Sequence, residues 1–212
     1  MTDMAETLLR VPLLSLADEK TLELEGARFD ITNVNWPEAF PYAPIVAGRI
    51  GRSRDALLVS WRVSGLDLTV RNTQDGGTIW EDSCCELFLQ APGNEAYYNI
   101  EVNAAGILLV GRGTGRGDRV LLPPETMARI VRKAEVKAPV DIADELKTWS
   151  LTLIIPFEVI GLDPARLPDR LRGNIYKCGD KTAHPHFLSW APVGTPSPDF
   201  HRPEFFGTFL LG

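Results

Sequence analysis

Hydrophobic and polar residues alternate with a period of two in several short segments of the chain. Residues 57–63 place Leu, Val, Trp and Val on one side and Ser and Arg on the other, and residues 97–103 and 149–155 alternate similarly. This alternation is typical of strands with one buried face, whereas the 3.6-residue period of a long amphipathic helix is hard to find. Short apolar runs between Gly, Pro, Asn and Asp predict further strands at residues 84–90, 106–111, 131–137, 173–178, 186–190 and 205–211.

Nine or more short strands at irregular spacing predict an all-β fold. We expect two packed antiparallel sheets, a jelly-roll-like β-sandwich, with short helical turns at residues 124–129 and 157–160. No internal repeat, low-complexity linker or break in composition divides the chain. We therefore expect a single domain over residues 1–212, in which residues 1–20 form an N-terminal lead-in.

Composition changes this picture little, but charge excludes some partners. With 44% hydrophobic and 24% charged residues, the 212-residue chain is that of an ordinary globular protein. No run approaches the ~20 apolar residues of a membrane-spanning helix, so no membrane partner is predicted. The formal net charge of −6, with basic residues scattered singly, repels phosphate backbones, and nucleic acid is not an expected partner.

The N-terminus and the cysteines bear on the cellular compartment. Asp3 and Glu6 stand where a secretory signal would carry Lys or Arg, so we expect a cytoplasmic protein. The three cysteines are an odd number, and the neighbours Cys84 and Cys85 would point to opposite faces of a strand. We predict that Cys84, Cys85 and Cys178 are all unbridged.

The densest basic stretch spans residues 112–119 and has three arginines among glycine and threonine spacers. This composition predicts a mobile loop. The stretch lacks the Lys-Ser/Thr ending and the strand-to-helix context of a P-loop, so we do not expect it to hold nucleotide phosphates.

Three segments are too polar and too aromatic for ordinary strands and turns. Residues 78–89 place Trp80 before two acidic residues and then a strand. Residues 97–106 carry a polar stripe, and residues 173–207 hold all three histidines. The polar stripe consists of Asn99, Glu101 and Asn103, and it is either part of a site or the solvated outer face of an antiparallel sheet.

Pairing of strands 84–90 and 97–103 would bring Glu86 to the face of Glu101. Two carboxyl groups in one region can serve as acid and base in glycoside hydrolysis. They can equally accept hydrogen bonds from sugar hydroxyls. The residues alone leave both interpretations open.

The histidines and aspartates also raise the question of a metal. His184 and His186 would point to one side of an extended segment, and His201 or Asp180 could complete a ligand set. However, Pro185 makes the segment a turn as readily as a strand, and hydrogen bonds within the loop are the favoured role. Asp82 and Asp180 could hold calcium, but no Asp-x-Asp-x-Asp loop is present. We predict no metal site, with Asp82, Asp180, His184 and His186 as the alternatives.

Several motifs occur together and in order along residues 40–212. They are Trp80-Glu-Asp-Ser-Cys-Cys-Glu-Leu-Phe-Leu, Tyr97-Tyr-Asn-Ile-Glu-Val-Asn, the strand from Trp149, Tyr176-Lys-Cys-Gly-Asp, His186-Phe-Leu-Ser-Trp and Phe200-His-Arg-Pro-Glu-Phe-Phe-Gly. This set resembles the family 9 carbohydrate-binding modules, and it is most similar to their stand-alone relatives. The resemblance implies a β-sandwich, a structural calcium ion and a sugar held between two aromatic rings.

By the same resemblance, Trp80 falls at the first ring of the clamp and Phe200 at the second, where the modules have Trp. Glu101 falls where they have a basic sugar-binding residue, which suggests a different ligand or geometry. The residue types agree, because a pyranose stacks its apolar face on an indole and pairs its hydroxyls with carboxylates and amides. The predicted ligand-binding residues are Trp80, Asn99, Glu101, Asn103, Phe200 and His201.

We therefore expect non-catalytic binding of a mono- or oligosaccharide, without a cofactor other than the calcium that the resemblance implies. Two alternatives stay open. One is a hydrolase or lyase that uses Glu86, Glu101 and the histidine-rich C-terminal segment. The other is an adaptor sandwich with a decayed site. Protein partners are not specified by the sequence.

Overall fold

The computed structural model describes residues 6–212, and residues 1–5, the start of the predicted lead-in, lie outside the described residues. Strands dominate. In chain order they are β1 (Leu8–Val11), β2 (Ala27–Asp30), β3 (Asn33–Val34), β4 (Ile45–Arg52), β5 (Ala56–Gly65), β6 (Leu68–Val70), β7 (Cys84–Gln90), β8 (Tyr97–Asn103), β9 (Leu108–Gly113), β10 (Val120–Leu121), β11 (Val131–Ala134), β12 (Val140–Ile142), β13 (Lys147–Pro156), β14 (Arg170–Cys178), β15 (Phe187–Ser189) and β16 (Gly207–Leu211).

The helical elements are short. The α-helices are α1 (Glu19–Glu25) and α2 (Pro124–Met127), and 3-10 turns lie at Ile79–Glu81, Phe157–Ile160, Pro164–Arg166 and Pro203–Phe205. The structure thus confirms helical turns near residues 124–129 and at 157–160. Among residues 6–212, no helix has the length and apolar character needed to cross a membrane.

The strands form two large sheets and one small pair. Sheet A has the order β1-β16-β14-β7-β8-β9-β10, with β15 and β3 branching from β14. Sheet B has the order β11-β13-β5-β4-β2, and β6 pairs separately with β12. Neighbouring strands run antiparallel apart from β1, which lies parallel to β16. The predicted all-β fold with two packed antiparallel sheets is confirmed.

Alternating side chains from the two sheets meet in a shared inner core. In β5, Val59 and Trp61 face sheet A, and in β8, Ile100 and Val102 face sheet B. Each of these side chains is at most 1% exposed. Because removal of apolar surface from water is the main stabilising term in folding, this layer holds the sheets together.

The boundaries of β7 and β8 coincide with the predicted segments 84–90 and 97–103, and the two strands are neighbours. By contrast, β4 and α1 were not among the predicted elements. The glycines of β4 interrupt its apolar pattern, and Gly48 is required by packing. A Cβ there would lie 2.2 Å from the ring of Phe29 and from the carbonyl oxygen of Ser60.

The polar stripe of β8 is not a solvated outer face. Asn99, Glu101 and Asn103 are 2%, 4% and 0% exposed. A second apolar cluster covers the outer face of sheet A, where Phe200 and Phe206 pack with Phe88, Tyr97 and Tyr176 of the strands. Polar groups of β7, β8 and β14 therefore face a covered space instead of bulk water.

The three cysteines are free, as predicted, and all three are buried. Cys84 belongs to the outer cluster and Cys85 to the inner core. The neighbours thus point to opposite faces of β7, as the period of two in a strand requires.

Candidate functional site

A cleft of about 500 Å³ opens on the outer face of sheet A. Its floor comes from β7, β8 and β14, and its walls come from the 3-10 turn Ile79–Glu81, the loop between β9 and β10, and residues 198–201. The volume is within the range of small-molecule sites. The aromatic and polar side chains that line it include Trp80, Phe187, Phe200, Glu86, Asn99, Glu101, Arg116, Arg119, Asp180 and His201.

The indole of Trp80 forms one wall of the cleft. Trp80 is partly exposed and packs at the edge of the outer cluster. Its backbone carbonyl accepts a hydrogen bond from the amide of Asp180 at 3.1 Å, which joins the turn to the end of β14. The ring is therefore held in place while part of its surface faces the cleft.

Asp82 and Asn103 support this turn from behind. The amide of Asn103 donates to Asp82 at 2.9 Å, and its oxygen accepts from the backbone N–H groups of Ala105 and Ile107. Asn103 was also predicted to contact the ligand, but it is not among the residues that line the cleft. Asn103 lies on the same face of β8 as Asn99 and Glu101, but at the end of the strand its hydrogen bonds support the turn that carries Trp80.

Phe200 lines the opposite wall but offers little free surface. Its ring stacks on Tyr176 with centroids 4.0 Å apart and an interplanar angle of 10°. It is 7% exposed and also lies near Trp36. One face of the phenyl ring is thus occupied, so the two walls are unequal and Trp80 is the larger platform.

A hydrogen-bonded chain of side chains crosses the floor. The amide of Asn99 donates to Glu101 Oε1 at 2.7 Å, and the Asn99 oxygen accepts from Arg119. Arg119 also donates to the carbonyls of Tyr97 and Gly111, and its guanidinium lies 4.5 Å from the Tyr97 ring centroid. These contacts fix the orientation of Asn99 and Arg119 beside the cleft.

Several buried polar atoms of the floor are unpaired. Among residues 6–212, Glu101 Oε2 and the Nε and Nη1 atoms of Arg119 have no hydrogen-bond partner. Buried polar groups in proteins are nearly always hydrogen-bonded, and leaving one unpaired costs about 1–3 kcal/mol. The unpaired atoms belong to two side chains, Glu101 and Arg119, that line the cleft.

The acidic groups of the floor hold protons more tightly than usual. Glu86 lies directly opposite Glu101 in the β7–β8 register. Burial raises the pKa of Glu101 to about 7 and that of Asp180 to about 6. Burial, and then the neighbouring Glu101, raise the pKa of Glu86 well above its usual value. Near neutral pH the floor can both donate and accept hydrogen bonds.

His201 is neutral under the same conditions. Burial, and then the charge of Arg119, lower the pKa of His201 to about 4. Its Nδ1 lies 2.9 Å from the hydroxyl of Tyr97, while Asp199 forms an ion pair with Arg116 at 3.0 Å. The cleft is thus lined by five of the residues that were predicted to contact the ligand, namely Trp80, Asn99, Glu101, Phe200 and His201.

The sequence matches the model of carbohydrate-binding family 9 over residues 17–211. The chain belongs to this family. No curated protein is significantly similar to it.

Solved structures of the same fold include both close and distant relatives of this family 9 chain. A proposed carbohydrate-binding protein from Bacteroides uniformis has 30% sequence identity and a TM-score of 0.89, and the match covers 98% of this chain and 100% of that one. A family 9 module from Caldicellulosiruptor kristjanssonii in complex with glucose has 12% identity and a TM-score of 0.61, over 97% and 95% of the two chains. The complex with cellotriose has 11% identity and a TM-score of 0.55, over 96% and 93%. At these identities the module shows the shared β-sandwich alone.

The structural calcium that the family resemblance implies does not fit Asp82. One carboxylate oxygen accepts from the backbone N–H of Arg71, and the other accepts from Asn72 and Asn103. Calcium takes six to eight oxygen ligands, whereas the groups that face this carboxylate are N–H donors. The Asp82 carboxylate therefore joins the end of the Trp80 turn to residues 71 and 72 and to Asn103. Asp180, the second calcium candidate, lines the cleft.

His184 and His186 lie away from the cleft and are engaged elsewhere. His184 Nδ1 lies 2.9 Å from Asp67, and its Nε2 lies 3.3 Å from Asp144. His186 bonds to the carbonyl of His184 through Nδ1 and to the ammonium of Lys177 through Nε2. The two residues stabilise a loop, which is the role that the sequence favoured.

Sequence reasoning missed Arg116 and Arg119. The loop of residues 112–119 was predicted to be mobile on its composition, but it carries both arginines to the cleft. The sequence did contain a signal for the position of these arginines, because a hairpin made of β9 and a following strand would carry the connecting loop back over the polar stripe of β8. Local glycine content does not reveal this return path.

Proposed function

We propose that this family 9 protein binds a saccharide in the outer cleft without transforming it, with one sugar ring stacked on Trp80. The observation that carries the proposal is the joint presence of a partly exposed indole and unpaired buried polar atoms in one cleft. Sugars need this pairing, since each pyranose has an apolar C–H face and a rim of hydroxyls.

The position of Trp80 supports a functional cleft over a decayed one. In a decayed site the indole would be packed inside the core, but here it lines the cleft. Because Phe200 is already stacked on Tyr176, the phenyl ring contributes a wall and Trp80 contributes the stacking surface. We expect a one-sided platform in this protein instead of a symmetric clamp.

The floor supplies partners for the hydroxyls. The proposed hydroxyl partners are Glu101 Oε2 as acceptor and Arg119 Nε and Nη1 as donors, and rotation of these buried side chains has to turn the atoms toward the cleft. Asn99 holds Glu101 and Arg119 at the correct orientation through its own two hydrogen bonds. The arrangement favours a ligand whose neighbouring groups include both a donor and an acceptor.

The family relatives indicate which sugars to test first. The Caldicellulosiruptor kristjanssonii module is found in complex with glucose and with cellotriose. Glucose and β-1,4-linked gluco-oligosaccharides are therefore the first candidates for this chain. Glu101 stands where the modules that it resembles have a basic residue, so we expect the preferred sugar to differ from theirs in the substituent that meets Glu101.

A hydrolase is the second candidate, because of the carboxyl pair Glu86 and Glu101. The pKa of Glu101, about 7, suits a general acid at neutral pH. However, Glu86 accepts from the thiol of Cys178, so one member of the pair is already engaged inside the protein, whereas Glu101 keeps one unpaired oxygen. This engagement supports a binding role over catalysis.

Calorimetric titration with glucose and cello-oligosaccharides tests the proposal, and Trp80→Ala is the decisive variant. Aromatic stacking contributes roughly 1–3 kcal/mol per base in nucleic acid complexes. By that analogy, Trp80→Ala should weaken sugar binding roughly 5- to 150-fold with little loss of stability. The control is Trp190→Ala, which removes an indole that stacks on Phe209 and lies outside the cleft lining, and which should leave the affinity unchanged.

Two outcomes would reject non-catalytic binding at this cleft. One is an affinity that Trp80→Ala does not change. The other is steady release of reducing sugar from an oligosaccharide by the wild-type protein and its loss in Glu101→Gln, which would establish the hydrolase instead.

A further inference from the structure

We propose that Cys84, Cys178 and Glu86 form a binding site for one thiophilic divalent cation, Zn²⁺ above all, beneath the floor of the cleft. Their potential ligand atoms, two sulfurs and a carboxylate oxygen, all lie within 4.8 Å of one another. Among residues 6–212 no other group of three or more His, Cys, Asp and Glu side chains meets this criterion.

Sheet geometry brings the three side chains together. Cys84 and Glu86 are two residues apart on β7, so they share a face. Cys178 is the direct register partner of Cys84 on the adjacent strand β14. The side chains thus converge from two neighbouring strands of a central part of the sheet, and rigid elements of this kind hold ligand atoms more accurately than loops do.

The ligand set matches the chemistry of zinc. Thiolate sulfur and carboxylate oxygen bind Zn²⁺ at about 2.3 Å and 2.0–2.2 Å in a tetrahedral arrangement. Ligand atoms of such a tetrahedron are roughly 3.5–4 Å apart, which small side-chain rotations can reach from the observed cluster. Thiolates favour zinc and other soft ions over magnesium or calcium, so the cation class follows from the two sulfurs.

Two of the three prospective ligands are already joined by a hydrogen bond. The thiol of Cys178 donates to Glu86 Oε1 at 2.9 Å, so two prospective ligands already share a hydrogen. On binding, Zn²⁺ replaces the thiol protons of Cys84 and Cys178 and any proton on Glu86, and these pass to solvent. No electron is transferred. Two thiolates and a carboxylate with Zn²⁺ leave a net charge of −1 at the site.

The cation can reach the site from the cleft. Glu86 and Cys178 line the cleft, while all three ligands are at most 3% exposed. Three protein ligands leave the fourth position of a tetrahedral ion open, as in zinc sites that bind water or a substrate oxygen. Zinc binding itself needs no saccharide, so it does not depend on the function proposed above.

Cys85 provides a matched control within the same strand. It is buried like Cys84, but it faces the inner core on the other side of β7. A substitution of Cys85 therefore removes one buried thiol from the same strand without touching the proposed site.

Co²⁺ titration of the reduced, saccharide-free protein is the test, with Zn²⁺ added afterwards to displace the cobalt. We expect one Co²⁺ per chain with thiolate-to-metal charge-transfer absorption. The absorption should be lost, with an affinity loss of at least about 10-fold, in Cys84→Ala and in Cys178→Ala. It should be retained in Cys85→Ala. No charge-transfer band in the wild type, a band that survives both site substitutions, or a band lost in Cys85→Ala would overturn the proposal.

X-ray absorption on the zinc-loaded wild type covers the case in which a variant fails to fold. The expected coordination shell has two sulfurs at about 2.3 Å and oxygens at about 2.0 Å. A shell of nitrogen and oxygen alone would overturn the site. The saccharide titration remains a separate measurement, so failure of one proposal is distinguishable from failure of the other.

Discussion

The carboxyl group of Glu101 has one oxygen bonded to Asn99 and a second with no partner among residues 6–212. Burial disfavours its charged form and raises its pKa from the usual 4.5 to about 7. The folded protein therefore holds a proton that the unfolded chain releases between these values. Stability from the neutral Glu101 is fully present below about pH 4.5 and is lost as the pH rises through about 7.

Glu101→Gln should remove this dependence, because a glutamine side chain resembles the protonated carboxyl group. We expect the variant and the wild type to have similar free energies of unfolding at pH 4.5. Above pH 7 the variant should be more stable by about 1–3 kcal/mol. Urea unfolding at several pH values measures the difference.

Glu81→Gln is the control, with the opposite sign. Glu81 pairs with Lys181 at 2.7 Å, and the hydrogen bond from Lys181 lowers its pKa. Its substitution should reduce stability at neutral pH and have less effect as the pH falls through the range where Glu81 is protonated. A stability difference for Glu101→Gln that stays constant with pH would show that the pKa of Glu101 is the same in the folded and unfolded states.

At the scale of elements, local pattern was sufficient for strands whose faces differ in polarity. The bounds of β8 could be predicted because polar and apolar residues alternate along it, and those of β7 because turn residues flank a short apolar run. The bounds of β4 could not be predicted, because Gly48 interrupts its apolar pattern. A larger residue at this position would collide with the ring of Phe29 and the carbonyl of Ser60, and the sequence of β4 does not show these contacts. Alternation also cannot say what covers a polar face, which is why the burial of Glu101 was not predicted.

The loop between β9 and β10 shows how one side chain can order a glycine-rich segment. The carboxylate of Asp118 accepts hydrogen bonds from the backbone N–H groups of Thr114 and Gly115 and from the Thr114 hydroxyl. These bonds lower the pKa of Asp118 to about 2. Since the loop carries Arg116 and Arg119 to the cleft, Asp118 acts as their positioning residue.

Asp118→Ala should therefore loosen the loop and weaken saccharide binding while the fold stays intact. We expect faster hydrogen exchange at the Thr114 and Gly115 amides. We also expect a loss of affinity of roughly 2- to 10-fold, the range of one net hydrogen bond. Hydrogen exchange followed by NMR and calorimetric titration are the two measurements.

Asp163→Ala is the matched control for this loop. Asp163 likewise accepts from a backbone N–H, that of Ala165 at 3.0 Å, but it lies outside the cleft lining. Its substitution should speed exchange locally and leave binding unchanged. Unchanged exchange in Asp118→Ala would mean that the arginine contacts alone order the loop.

At the scale of the whole molecule, sheet A is packed on both faces. The inner core joins it to sheet B, and the outer cluster joins it to the segment that forms the Phe200 wall. Trp36 connects distant parts of this outer cluster, because its indole N–H donates to the carbonyl of Thr195 at 2.6 Å across 159 residues of sequence. A contact at such separation leaves no trace in local pattern, which is why the cover of the cleft could not be predicted.

The two packed faces should respond differently to cavities. Trp36 is 7% exposed and packs against Phe187 and Phe200, so Trp36→Ala should lower the free energy of unfolding by about 3–5 kcal/mol. It should also weaken saccharide binding, although Trp36 is outside the cleft lining, because Phe200 loses its support. Chemical denaturation and calorimetric titration measure the two effects.

The control for this prediction is Leu153→Ala in β13, a fully buried side chain of the inner core. It should lower stability by about 2–5 kcal/mol, yet the affinity of the folded protein should stay near that of the wild type. Both variants must be compared at a temperature where each is folded, so that unfolding does not imitate lost binding. If Trp36→Ala and Leu153→Ala reduce affinity equally, the cleft depends on the stability of the whole sandwich and not on the outer cluster that covers it.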